Sequence, residues 1–266
     1  MTKNLTNQLI PIKNGRNFRE LGGYKTIDGK TIKKHKLLRT ANWATLDKAD
    51  LQFLQDYGAK YIVDFRSKDE VNQEPDRVPE GVTYKFDPVF SEDLTNSSKG
   101  IDEIISQEND DPKAGFNHMF IAYDDMIKSE SAQKAYRKFF DILLANTESD
   151  KSVLFHCTAG KDRTGLAAIL ILSALNVPLA TIRADYLFTN TATEDFVNNF
   201  LQKAKDKGAN DVAISNLKDL QTVCPEYFDY VINTINKNYG SLENYLHDIM
   251  RLTDDKIAQL RKIYLD

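Results

Sequence analysis

Cys157 and Arg163 stand six positions apart in the string His156-Cys157-Thr158-Ala159-Gly160-Lys161-Asp162-Arg163-Thr164-Gly165. Displacing phosphate from an ester through a covalent intermediate needs an ionised nucleophile, donors for the phosphoryl oxygens, and an acid for the leaving oxygen. The string can supply at least the first two. A sulfur between a strand and a helix faces the positive end of the helix dipole, which favours the thiolate. The five intervening residues can curl so that successive backbone N–H groups point inward as an oxyanion nest. Arg163 closes that ring with a planar fork that matches two phosphate oxygens. Gly160 permits a turn that a side chain would hinder, the Thr164 hydroxyl can hydrogen-bond the thiolate, and the His156 ring is suited to orienting the loop.

The elements that must position this loop are legible around it. Ser152 to Phe155 reads as a short strand and Arg163 to Leu175 as an apolar helix. Upstream, Tyr24–Ile27 and Thr31–Lys33 flank Asp28-Gly29, a type I′ hairpin signal. A helix is expected over Asp47 to Tyr57, a buried strand over Tyr61 to Phe65, a charged helix from Lys68 to Glu74 ending at Pro75, and a strand over Val82 to Phe86. Ser91 to Gly115 is polar and acidic and reads as a mobile surface segment. Helical spacing follows in Phe116, Met119, Phe120, Tyr123 and Ile127, and again in Tyr136, Phe139, Phe140, Leu143 and Leu144. Pro178 opens a helix to about Leu187, and the last third is helical throughout. The expectation is a single α/β domain over 1–266, with a polar lead-in (1–13) and a helical part (192–266) able to act as a lid.

Composition narrows the function classes. The chain has 266 residues, 41% hydrophobic, enough for a substantial core. A net charge of −4 argues against a general nucleic-acid binder. No stretch approaches the roughly 18 to 20 apolar residues of a membrane helix, and the polar start lacks a signal-peptide core. That reads as cytoplasmic for the chain as it stands, or secreted if a leader has been removed. Cys157 and Cys224, with four scattered histidines, form neither a disulfide framework nor a metal-ligand pattern, so neither metal nor cofactor is expected.

The string resembles the signature of the protein tyrosine phosphatase superfamily, and its Gly-Lys-Asp-Arg-Thr version resembles a bacterial family within it. Some members of that family also act on phosphoserine, phosphothreonine and phosphoinositides. Asn17-Phe18-Arg19-Glu20-Leu21-Gly22-Gly23, Leu38-Arg39-Thr40-Ala41-Asn42, Val63-Asp64-Phe65-Arg66-Ser67 with Glu70, and Asp185-Tyr186-Leu187 with Thr189-Asn190 match its pattern. The matches span about residues 14 to 190; Glu20 departs from the more usual Asp. The resemblance implies a central, mostly parallel sheet flanked by helices, with additional C-terminal helices. It implies a phosphocysteine on Cys157 and phosphate bound by Thr158, Ala159, Gly160, Lys161, Arg163 and Thr164. It also implies Asp162 as general acid and a Lys161 charge that widens substrate choice towards phosphoinositides. Phosphorylated protein or phosphoinositide would be the substrate, and inorganic phosphate or vanadate would occupy the loop.

Alternatives remain open from the residues. Asp87 and Asp64 compete with Asp162 as the acid, and Asp64 reads equally as structural. Arg66 reads as an anchor for Glu70 ahead of a pocket-lining role, Lys33-Lys34-His35-Lys36 as a solvated strand face, and Cys224 and Tyr186 as core. A phosphoprotein-binding module without activity is disfavoured because Cys157 and Arg163 are both present. Thiol transfer is disfavoured by the spacing and by the lack of further cysteines.

Overall fold

The computed structural model describes residues 5–96, 98, 100–105 and 110–266, so parts of the lead-in and of the acidic segment lie outside the described residues. Five strands form one sheet: β1 (Arg19–Glu20), β2 (Leu37–Thr40), β3 (Ala59–Asp64), β4 (Thr83–Phe86) and β5 (Ser152–His156), in the order β1-β2-β5-β3-β4. β1 is antiparallel to β2 and every other pairing is parallel. This is the mostly parallel sheet that the resemblance implied.

The central strand β5 is buried at every position, as a strand covered on both faces must be. Side chains alternate across the sheet. Leu38, Ile62 and Leu154 face one apolar cluster with Phe18, Trp43 and Leu54. Leu37, Val63, Val153 and Phe155 face the larger one, built from the central and C-terminal helices. Thr40 and Asp64 both pair with His156, so three strands end level and Cys157 leaves the sheet at its carboxyl edge. Parallel sheets offer ligands room at that edge, between diverging connections.

The helices are α1 (Lys48–Asp56), α2 (Lys68–Gln73), α3 (Ile101–Ile105), α4 (Ala114–Lys128), α5 (Glu130–Ala145), α6 (Arg163–Ala174), α7 (Leu179–Ala192), α8 (Glu194–Asp206), α9 (Asp211–Gln221), α10 (Pro225–Tyr239), α11 (Leu242–Asn244) and α12 (Asp254–Tyr264), with a π-helical turn at Tyr245–Ile249. Reciprocal capping boxes start α1 at Asp47 with Asp50 and α2 at Ser67 with Glu70. No helix among the described residues is long and apolar enough to cross a membrane.

Three local expectations are corrected. The Asp28-Gly29 turn is not type I′: only Gly29 has positive φ, Asp28 does not, and the arms meet in the single bridge Lys25 with Thr31. The Lys33–Lys36 run is only in part a solvated face: Lys34 and His35 are exposed, Lys33 and Lys36 are not. Lys33 Nζ donates to the Lys262 and Ile263 carbonyls near the end of α12, and buried Lys36 donates to Asn146 and Glu148 carbonyls past α5. These charges neutralise helix C-termini. The acidic segment is not purely superficial either, since Thr95 is fully buried against the site below.

Candidate active site

Cys157 is buried where β5 passes into the loop. Gly160 has φ +67°, and a Cβ there would lie 2.2 Å from the Thr40 carbonyl oxygen, so no other residue fits without moving β2. The loop is held from behind. Asn17 Nδ2 donates to the carbonyls of Ala159 at 3.0 Å and Gly160 at 2.9 Å, and Arg39 Nη2 donates to Gly160 O at 2.9 Å. Because the peptide is planar, a carbonyl pulled outward turns the next N–H inward. That tilt favours the nest expected of the loop.

The holding groups are themselves fixed by α7. Asp185 takes Arg39 Nη1 at 2.7 Å, Arg19 Nε at 3.2 Å and the Tyr24 hydroxyl at 3.0 Å. Burial pushes the Asp185 carboxyl up, but Arg19 and Arg39 outweigh it and hold it below the usual range. Three motif segments far apart in sequence thus meet behind one loop. Glu20 lies outside it, accepting from Gly22 N, His35 N and the Tyr57 hydroxyl.

Arg163 is fully buried at the start of α6. Its Nη1 and Nη2 form a two-pronged pair with Glu70 at 2.6 and 2.8 Å, and Glu70 also accepts from the Thr158 hydroxyl. Sequence reading had Arg66 anchoring Glu70; instead Arg66 binds Asp64 and Asp76, each within 2.8 Å of Nη2. Asp64, Asp76 and His156 come within metal-ligand reach of one another, and the Arg66 guanidinium bonds both of those carboxylates. His156 faces Asp76 through Nε2 at 3.0 Å and meets the Cys157 carbonyl through Nδ1 at 3.1 Å. Burial disfavours its protonation, yet Asp76 and Asp64 outweigh that and raise its pKa. Burial likewise opposes ionisation of Asp64, and His156 and Arg66 overcome it, holding Asp64 well below the usual range.

Asp93 and Thr95, from the acidic segment, each approach Arg163 Nη2 at 3.4 Å. Neither was singled out in the sequence, where nothing but a polar, acidic composition marks them. Asp76 was also missed; it follows Pro75 with no periodic signal.

Asp162 and Lys161 are 1% exposed and pair with each other at 2.8 Å, and Asp162 accepts from the Tyr123 hydroxyl at 2.7 Å. Tyr123 meets the Tyr186 hydroxyl at 2.5 Å, so Tyr186 is core with its hydroxyl satisfied locally. The Lys161 charge is therefore met within the loop. Thr164 Oγ1 makes no hydrogen bond among the described residues, so the expected bond to the Cys157 sulfur is not made. Arg163 Nε is buried without a partner as well. Asp87 accepts from Lys138 Nζ at 3.3 Å, and burial raises its pKa to about 6. Cys224 is a free, half-buried thiol pushed up to about 11 by burial.

A cysteine at the carboxyl edge of a parallel sheet, a loop whose carbonyls are held from behind and a buried arginine opening the next helix are the parts of a Cys-x5-Arg phosphatase. The sequence profile described as the tyrosine phosphatase family matches residues 10–266. A Cupriavidus necator protein carrying a tyrosine-protein phosphatase name is 32% identical over 94% of this chain and 85% of its own length. The triple specificity protein phosphatase PtpB of Mycobacterium tuberculosis is 29% identical over 87% of this chain and 90% of its own. A tyrosine-protein phosphatase of Nostoc commune is 26% identical over 84% and 72%. The chain belongs to the tyrosine phosphatase family.

Proposed function

We propose that the protein hydrolyses phosphotyrosine through a phosphocysteine on Cys157, with breadth to phosphoserine, phosphothreonine and phosphoinositides. The observation that carries this reading is the pair of buried, unpartnered donors, Arg163 Nε and Thr164 Oγ1, in a loop whose carbonyls are drawn outward. Buried donors without partners are costly, and an oxyanion would satisfy them. The Cys157 sulfur attacks phosphorus, and the ester oxygen leaves with a proton from Asp162, which must first part from the Lys161 ammonium and take that proton from solvent before it can act as the acid. Water then cleaves the S–P bond, releases inorganic phosphate and returns the proton. Glu70 fixes the Arg163 fork from the side away from Nε. Breadth beyond tyrosine is supported by the likeness to a protein named for triple specificity.

Asp64, held ionised by Arg66, suits a structural role. Asp87 remains the competitor for the acid. α8 is proposed as a lid: Phe196 and Val197 border a narrow crevice with Ala159 and Lys161. The test is turnover of p-nitrophenyl phosphate without added metal, inhibited by vanadate and lost in Cys157→Ser. Wild-type turnover in that variant would sink the mechanism. Asp162→Asn is expected to slow esters with poor leaving groups more than p-nitrophenyl phosphate; equal effects would move the acid to Asp87.

A further inference from the structure

A cleft of about 500 Å3 opens beside the loop, lined by Thr158, Glu70, Glu74, Asn14, Phe196 and Arg16 among others. Among the described residues of that lining, Arg16 is the one cation. It also borders the crevice beside Ala159 and Lys161, so it stands at the rim of the loop on two sides. Its backbone is pinned there: its carbonyl accepts from Ala41 N at 3.0 Å, and the next residue, Asn17, holds the loop carbonyls.

The guanidinium lies 3.9 Å from the centre of the Phe196 ring and makes no hydrogen bond or ion pair among the described residues. Stacking uses the face of a guanidinium and leaves its N–H edge for an acceptor. Of the carboxylates nearby, Glu70 is held by Arg163, while Glu74 accepts from the Asn42 amide and, with Cys157, favours the Arg16 charge from a distance without an ion pair.

We propose that Arg16 is a specificity residue that pairs with the carboxylate of an acidic side chain flanking the phosphorylated residue of a peptide. The proposal rests on the phosphatase reading of the same site. A peptide carboxylate is favoured over a second phosphate because the cleft already carries two glutamates, which oppose a dianion more than a monoanion. Neutral polar groups such as Asn14 and Thr45 line the remaining wall and suit a peptide backbone.

The experiment compares kcat/KM for two phosphotyrosine peptides that differ only in acidic or neutral flanking residues, with a vicinal inositol bisphosphate and its monophosphate as a second pair. Wild type is expected to prefer the acidic peptide. Arg16→Gln should reduce that preference about tenfold, the usual scale for a hydrogen bond to a charged group. Arg16→Lys should keep part of it, and Arg16→Glu should shift preference towards a basic flank. Added salt should erode the wild-type preference. Equal losses on both peptides, or a loss confined to the bisphosphate, would overturn the proposal. Wild-type failure on p-nitrophenyl phosphate would instead defeat the phosphatase reading, before any peptide comparison. Thermal melting of each variant separates a lost preference from a lost fold.

Discussion

At the scale of single residues, the site divides its carboxylates by environment. Asp64 and Asp185 face guanidinium groups and stay ionised, whereas Asp87 is buried with a single, half-exposed lysine as partner. Burial raises Asp87 from 3.8 to about 6. The folded state therefore holds a proton there that the unfolded chain releases nearer pH 4. Stability is lost as pH rises through that window, and the deficit persists above it. Asp87→Asn should remove up to about 3 kcal/mol of this deficit, fully at pH above about 7 and not at all below about 4. Denaturant midpoints for wild type and variant at the two pH values check this; an identical difference at both would refute it.

At the scale of elements, β1, β2 and α7 exist for the loop as much as for the core. Arg19, Arg39 and Asp185 are each no more than 1% exposed, so their charges have no water to fall back on. Asp185→Asn leaves two buried guanidinium groups short of a counter-charge, a loss on the order of 3–5 kcal/mol. It should also loosen the grip of Arg39 on Gly160, so that kcat falls along with the unfolding midpoint. A variant with wild-type stability would show that the charges are met otherwise. Most of these elements were readable in the sequence because local composition and period mark them: the short β-rich runs of β3 and β5, the charged stretch of α2 stopped at Pro75, the apolar run of α6. The loop was readable because its spacing encodes its chemistry. Contacts between distant segments were not: Glu70 with Arg163 rather than Arg66, Lys36 beneath α5, and Asp93 and Thr95 at the arginine. No local pattern specifies which carboxylate a guanidinium will meet when several lie within one loop of the same strand edge.

At the scale of the whole molecule, stability is unevenly distributed around the site. α6 buries eleven of its residues, including the run Leu166–Leu172. α8 buries only Val197 and Ala204, with Phe196 resting on Arg16. Burying a large aliphatic side chain stabilises by roughly 1.5–3 kcal/mol, so α8 is tied down by a small fraction of what anchors α6. Opening α8 should then cost far less than global unfolding. Native-state hydrogen exchange should show α8 amides exchanging through a local opening insensitive to denaturant, while α6 amides exchange only through global unfolding. Phe196→Ala, which removes the stacking contact with Arg16, should speed exchange in α8 and leave α6 unaffected. Protection of α8 equal to that of α6 would show that the helix is part of the rigid body and would remove the basis for reading it as a lid.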